Sequence, residues 1–267
     1  MINLEKNSGL PIELENDLRI KFNPPLSDRE PTFVREFSQV IPYLQNPKSQ
    51  APVAAPYLGY RNIHLPGDLD FTESNHLQYD LTIMAPIMVG QEFNKTIGHY
   101  HDLIPGTTIA HPELYEILNG QGIILMQKMD AEYKELIAVI CLEVKKGDKI
   151  VYPPNYGHIL VNTGNEPLVT ANWLSTDYKP LYEPVKEKQG MAYYVVEGEN
   201  GEPKFVKNEN YKNHPQIRKV AQPLSLLKDF GLLADEPMYP TAVKNPKSVE
   251  FLNQPQKYAV ELSAASS

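Results

Sequence analysis

From Tyr57 to about Val196 the chain is a succession of short runs rich in β-branched and aromatic residues, each stopped by Gly, Pro, Asn or Asp. The runs are Leu81-Thr-Ile-Met, Leu114-Tyr-Glu-Ile-Leu, Gly122-Ile-Ile-Leu-Met-Gln, Leu136-Ile-Ala-Val-Ile-Cys-Leu, Lys149-Ile-Val-Tyr, His158-Ile-Leu-Val-Asn, Leu168-Val-Thr-Ala-Asn-Trp-Leu and Ala192-Tyr-Tyr-Val-Val-Glu. Strand-like runs at this spacing, with turn signals between them, specify an antiparallel sandwich or barrel and not alternating βαβ units. The expected fold class is all-β. With 267 residues, a single domain of this class can bury a sizeable core.

The flanks read differently. Ser27-Asp-Arg-Glu-Pro-Thr-Phe-Val-Arg-Glu-Phe-Ser-Gln-Val has a cap-like start and apolar spacing that predict a helix of about three turns. Pro47-Lys-Ser-Gln-Ala-Pro-Val-Ala-Ala-Pro56 cannot continue it. After Gly201 the chain is polar and dotted with proline, with one short helical candidate at Leu224-Ser-Leu-Leu-Lys-Asp-Phe-Gly-Leu-Leu. The expected organisation is an N-terminal extension over residues 1–56 that packs on a barrel of residues 57–207, and a C-terminal extension over 208–267.

Composition narrows the function classes. A net charge of -8, with no clustered basic face, argues against nucleic acid as a partner. No apolar run approaches the roughly 20 residues that cross a bilayer, so no membrane partner is expected. Met1-Ile-Asn-Leu-Glu-Lys lacks the basic and apolar regions of a secretory signal. A single cysteine, Cys141, allows no intrachain disulfide and points to a reducing cytoplasm. Cys141 lies in an apolar run and reads as a buried, inert thiol, and Trp173 reads as core.

The chemistry concentrates in Lys95-Thr-Ile-Gly-His-Tyr-His101. Residues i and i+2 of a strand share a face, so His99 and His101 can point into one interior and bind one cation. Glu113 and Glu116 are both candidate carboxylates, but strand alternation sets them on opposite faces, so only one can point inwards. His158 returns across the same interior after the Gly147-Asp-Lys turn, a strand and a Pro-Pro bend. Three imidazoles and a carboxylate leave two positions of an octahedron open, as a catalytic metal requires. His64, His76, His111 and His214 read as solvated or packed, and no glycine-rich nucleotide loop is present.

These residues resemble the cupin superfamily. Its first motif is matched by Gly98, His99, His101, Glu113 and Gly120, and its second by Gly147, Pro153, His158 and Asn162. The match selects Glu113 over Glu116. Two departures are visible: the segment between His101 and Glu113 is longer than the family's usual three or four residues, and Asn155 stands at a customary glycine. Asn tolerates left-handed backbone angles better than most residues. The implied fold is a double-stranded β-helix, or jelly-roll, barrel with short helical or irregular extensions.

A narrower resemblance, from about Asp68 to Tyr211, is to the cupin-type glucose-6-phosphate isomerases. It rests on Gly67-Asp-Leu-Asp-Phe, Leu81-Thr-Ile, Val89-Gly-Gln-Glu-Phe, Thr96-Ile-Gly-His-Tyr-His, Pro112-Glu-Leu-Tyr and Tyr182-Glu-Pro-Val-Lys-Glu-Lys-Gln-Gly. Pro86-Ile-Met-Val stands where the family usually has a Pro-Gly turn. The resemblance implies a cytoplasmic enzyme of glycolysis and gluconeogenesis, a homodimer pairing through edge strands, whose substrate is a small sugar phosphate. It implies one divalent metal per subunit, iron(II) first and manganese(II), nickel(II) or zinc(II) as substitutes, held by His99, His101, Glu113 and His158. It implies a phosphate pocket at Thr82, Thr96, Gly98 and Tyr115, with Tyr182 near the sugar. Hydroxyl and backbone N–H donors can cradle a phosphate without Lys or Arg; Lys95 is a weaker candidate because it has the opposite strand parity to Thr96. Hydrogen moves between C1 and C2 of the open-chain sugar either by a base, for which Glu113 is the candidate, or by a metal-assisted hydride shift. An iron-dependent cupin dioxygenase, a sugar-binding cupin without turnover, and a phosphomannose isomerase are the alternatives.

Overall fold

Two sheets, antiparallel but for one edge strand, face each other in the computed structural model of the chain, which describes residues 1–222 and 224–266. The strands that build them are β1 (Phe33–Arg35), β2 (Tyr57–Tyr60), β3 (Leu77–Met84), β4 (Glu113–Asn119), β5 (Gln121–Met129), β6 (Leu136–Lys145), β7 (Lys149–Tyr152), β8 (Tyr156–Asn162), β9 (Leu168–Ser175) and β10 (Ile217–Lys219). The first sheet runs β7-β4-β9-β3-β2-β1 and the second β8-β5-β6-β10, with β10 parallel to β6. This is the all-β architecture that the sequence indicates, and its helices are short, Met238–Lys244 spanning seven residues. Seven of the eight strand-like runs fall in β3 to β9, and the eighth forms Tyr193–Glu197.

Pairing register carries side-chain parity across the first sheet. Thr82 on β3 faces Gly59 on β2 and Thr170 on β9; Tyr115 on β4 faces Asn172; and Glu113 faces Tyr152 on β7. Since alternate residues share a face, Thr82, Asn172, Glu113, Tyr115 and Tyr152 all look into the barrel. Ile117, Ile150, Met84 and Leu168 continue this face into a core shared with β5, β6 and β8.

The opposite face of the same sheet is buried as well. Tyr79, Leu81, Leu114, Val151 and Trp173 pack with Phe230, Tyr239, Phe251 and Leu252 of the C-terminal segment, and with Ile12, Leu14 and Ile20 of the N-terminal hairpins. Trp173 is fully buried, 5.0 Å from the Tyr79 ring and stacked on Tyr239 at 5.5 Å. Burial on both faces explains why these strands read as nearly continuous apolar runs. Glu116 belongs to this outer face: it pairs with Lys149 at 2.9 Å and accepts the Met238 backbone N–H at 3.0 Å. Lys149 also donates to the Ala234 carbonyl at 3.0 Å.

The three-turn helix expected over Ser27–Val40 does not form. Phe33–Arg35 joins the sheet as β1, and helix is confined to the four residues Phe37–Val40. Phe33-Val-Arg35 has an alternation that suits an edge strand as well as it suits a helix, and pairing with Tyr57–Gly59 decides between them. The helical candidate at Leu224 does form, as Leu224–Asp229.

Glu116 and Lys149 are both about 2% exposed, so removing one partner leaves a buried charge. Glu116→Leu is expected to lower the unfolding free energy by about 3–5 kcal/mol, and Glu116→Leu with Lys149→Met to regain most of it. Urea denaturation reads both variants; a double variant as unstable as the single one contradicts the pairing.

Candidate active site

The Thr96–His101 segment crosses one end of the barrel against β8. His99 sits opposite His158 in an antiparallel bridge, the His158 N–H donating to the His99 carbonyl at 3.1 Å. Gly98 makes the turn into this bridge at φ +77, where a Cβ would lie 2.5 Å from Ile159 Cγ2. No L-residue fits there without strain. Tyr100 and His101 form a two-residue strand paired with Pro180–Leu181. The alternation turns Tyr100 into the core, where its hydroxyl accepts from Gln127 at 2.7 Å, and turns the two imidazoles to the pocket.

Four side chains converge. One ligand atom each from His99, His101, Glu113 and His158 lies within 4.8 Å of the others. His99 Nε2 and His101 Nε2 are 3.2 Å apart, and Glu113 Oε2 is 3.5 Å from His101 Nε2 and 3.3 Å from His158 Nε2. The second ring of bonds fixes their orientation. His101 Nδ1 bonds the His111 carbonyl at 2.8 Å, which makes Nδ1 the protonated nitrogen and leaves the Nε2 lone pair to face the cluster. Asn172 Nδ2 donates to Glu113 Oε1 at 2.7 Å, leaving Oε2 for the centre. Among the described residues, Glu113 Oε2 and His158 Nε2 are buried without a hydrogen-bond partner. Orphaned acceptors of this kind are costly unless a cation satisfies them. The residues fit a divalent metal, and the mixed imidazole and carboxylate set suits a first-row transition ion.

Burial sets the protonation states. It holds His158 down at about 3 and His101 at about 4, the neighbouring carboxylate of Glu113 only partly offsetting it for His101. His99 is lowered too, by burial and then by the other two imidazoles. Burial pushes Glu113 up to about 7, against the opposing effect of His101. Three neutral imidazoles at pH 7 present lone pairs, as metal ligation requires.

The pocket above the cluster encloses about 50 Å³ and is lined by Thr82, Thr96, Gly98, Tyr115 and Tyr182 together with His99, Glu113 and His158. Every residue expected at the site therefore lies in one place, with His101 bonded into it from behind. Thr96 Oγ1 accepts the Leu160 N–H at 3.0 Å, so its own proton is left to donate. Tyr182 stands 5.4 Å from the His99 ring, and Tyr115 stacks on Tyr152 at 4.5 Å. Lys95 turns away and pairs with buried Glu92. A larger cleft of about 690 Å³ beside His76, His111 and Glu250 contains none of the cluster.

Sequence similarity points the same way. The family model described as glucose-6-phosphate isomerase (GPI) matches residues 54–214. The chain belongs to the glucose-6-phosphate isomerase family. Relatives of that name include one from Pyrococcus abyssi, 28% identical over 203 residues, or 73% of this chain and 96% of the relative. Another, from Pyrococcus furiosus, is 29% identical over 189 residues, covering 70% of this chain and 86% of the relative. Among solved structures, the 7S globulin of Momordica charantia is similar at TM-score 0.34 and 15% identity, covering 49% of this chain and 34% of that one.

Within this member of the family, sequence reasoning missed five polar pocket residues: Arg35, Tyr57, Arg61, Tyr152 and Tyr178. The expectation of a pocket without Lys or Arg is corrected, since two arginines line it. Arg35 was hidden by reading its segment as helix; a strand reading of Phe33-Val-Arg35 places it on the barrel side. Tyr178 lies 4.5 Å from the His101 ring, brought there by the pairing of Pro180 with His101.

The two departures from the cupin motif are physically linked. Asn155 adopts φ 67, as the missing glycine would. Its amide also grips the long segment, accepting the Ala110 N–H at 2.8 Å and donating to the Thr108 carbonyl at 3.1 Å. His111 at the end of that segment is buried, its ring 3.3 Å from the Leu252 carbonyl. The longer loop is thus tied over residues 108–111, where it runs into Glu113.

Metal uptake should displace a proton from Glu113 but none from the histidines, which are neutral already. Calorimetric titration in buffers of different ionisation enthalpy is expected to show close to one proton released at about pH 6 and almost none above about pH 8, with affinity rising about tenfold per pH unit below 7. Release of two or more protons contradicts the assignment. Asn155→Gly keeps the turn yet frees the loop; its metal affinity is expected to fall about tenfold, as for other losses of ligand-orienting bonds, with little change in circular dichroism.

Proposed function

We propose that this chain interconverts glucose 6-phosphate and fructose 6-phosphate, using a divalent metal held by His99, His101, Glu113 and His158. The observation that carries this reading is the cluster itself, four convergent ligand atoms with two orphaned acceptors, next to a pocket lined by hydroxyls and arginines in a chain of the isomerase family. A bound metal supplies Lewis acidity at the sugar's C1 and C2 oxygens; iron(II) is the ion we assign, with manganese(II), nickel(II) or zinc(II) as substitutes.

Glu113 is the base of the reading. Its carboxylate lines the pocket beside the cluster, within reach of a sugar held above it. It takes the proton from C2 of the open-chain aldose as the C1=O double bond becomes an enediol, and returns it to C1 as C2=O forms. The oxygen-bound proton passes from O2 to O1, so the reaction is balanced without an oxidant. Asn172 keeps the carboxylate aimed through Oε1, and Tyr182 and Tyr178 close the sugar end. Thr82, Thr96, Gly98 and Tyr115 provide donors for the phosphate. A polar pocket with two arginines disfavours the dioxygenase alternative, whose aromatic substrate needs apolar walls.

A coupled assay from fructose 6-phosphate, run on protein treated with chelator and then with each metal restored, tests this reading. Activity is expected to vanish with the chelator and to return most fully with iron(II). Glu113→Gln is expected to keep much of the bound metal and to lose at least about 1,000-fold in kcat, the scale of a lost general base. Retained turnover in Glu113→Gln removes the base assignment; no activity with any metal, including on mannose 6-phosphate, overturns the reading.

A further inference from the structure

We propose that Arg35 receives the substrate's phosphoryl group and sets the preference for phosphorylated over unphosphorylated sugars. This rests on the isomerase reading above. It starts from strand register. β1 pairs with β2 as Phe33↔Gly59 and Arg35↔Tyr57, and β2 pairs with β3 as Gly59↔Thr82 and Tyr57↔Met84. Phe33 and Arg35 therefore project on the face that carries Thr82, and Arg35 lines the pocket beside Thr82, Thr96 and Gly98.

Two arginines line this pocket, and their partners separate them. Arg61 hydrogen-bonds the fully buried carboxylate of Asp80, which also accepts from the Asn62 N–H and the Gln78 amide, each at 2.9 Å. Its charge is cancelled inside the wall. Arg35 has no carboxylate within 4 Å among the described residues, and its Nε is shielded from solvent without an acceptor. The rings of Phe33 and Tyr57 lie 5.8 Å from its guanidinium carbon and a side-chain hydrogen bond links it to Tyr57, holding the planar group in place without neutralising it. A shielded guanidinium donor lacking an acceptor is unfavourable by itself, and an anion bearing several oxygens satisfies it. The guanidinium fork matches a phosphate dianion in geometry and charge. A sugar hydroxyl offers neither. Position, cancelled neighbour and unsatisfied donor together point to a phosphoryl group as the occupant.

Arg35→Met preserves length and stacking while removing charge and donors; Arg35→Lys keeps charge but not the fork. Each metal-loaded variant and the wild-type protein are titrated with inorganic phosphate, and kcat/KM is measured for fructose 6-phosphate and for fructose. In Arg35→Met, phosphate affinity and kcat/KM for fructose 6-phosphate are expected to fall by about 10- to 100-fold, the range for a lost hydrogen bond to a charged group, while kcat/KM for fructose and the metal content stay unchanged. Arg35→Lys is expected to fall between Met and wild type. Equal losses on both sugars, or phosphate binding undiminished in Arg35→Met, overturn the proposal. The phosphate titration separates this from the isomerase reading: wild-type protein without turnover defeats that reading, whereas the role of Arg35 still stands or falls on phosphate affinity.

Discussion

Burying one carboxylate and three imidazoles together, with no lysine or arginine among the described residues bonded to them, is the constraint around which this molecule is organised. Left alone, such a cluster is unfavourable: burial drives Glu113 towards its protonated form and the histidines towards neutrality. The chain accepts this cost by fixing each group from behind, through the His111 carbonyl on His101, the Asn172 amide on Glu113 and the antiparallel bridge of His99 with His158. A preorganised set of acceptors results, and a cation placed among them would convert the unfavourable burial into binding energy.

The parts of the chain outside the barrel serve this arrangement. Residues 226–265 cover the outer face of the first sheet, so that β4 and β9 are clamped from both sides while presenting Glu113 and Asn172 inwards. The segment between His101 and Glu113, longer than the cupin motif usually carries, is held by Asn155 and by the contact of His111 with Leu252. Near the N-terminus, β1 completes the sheet edge and brings Arg35 to the pocket. Arg35 and Arg61 sit in the same wall with opposite fates, one neutralised by Asp80 and the other left with an unsatisfied donor.

Much of this was legible in the sequence because its signals are local. Strand runs bounded by turn residues located β3 to β9, and His-x-His parity, together with the resemblance to the cupin motifs that selected Glu113, located the cluster. Alternation also separated Glu113 from Glu116, which the structure sends to Lys149 on the outer face. What was not legible depends on long-range pairing. Phe33-Val-Arg35 fits a helix or a strand until Tyr57–Gly59 is placed beside it, so β1, and Arg35 with it, escaped. Tyr178 and Tyr152 look like ordinary strand and turn aromatics until register sets them against His101 and His158. The double duty of Asn155, as turn former and loop tether, needs the loop's position to be seen.

Anomalous diffraction at the manganese or iron edge, from crystals of the metal-loaded protein, addresses the central claim directly. The account predicts one peak per chain, about 2.0–2.2 Å from His99 Nε2, His101 Nε2, His158 Nε2 and Glu113 Oε2, with its remaining positions open to the pocket. No peak within the cluster, or one held by a different set of side chains, would contradict it.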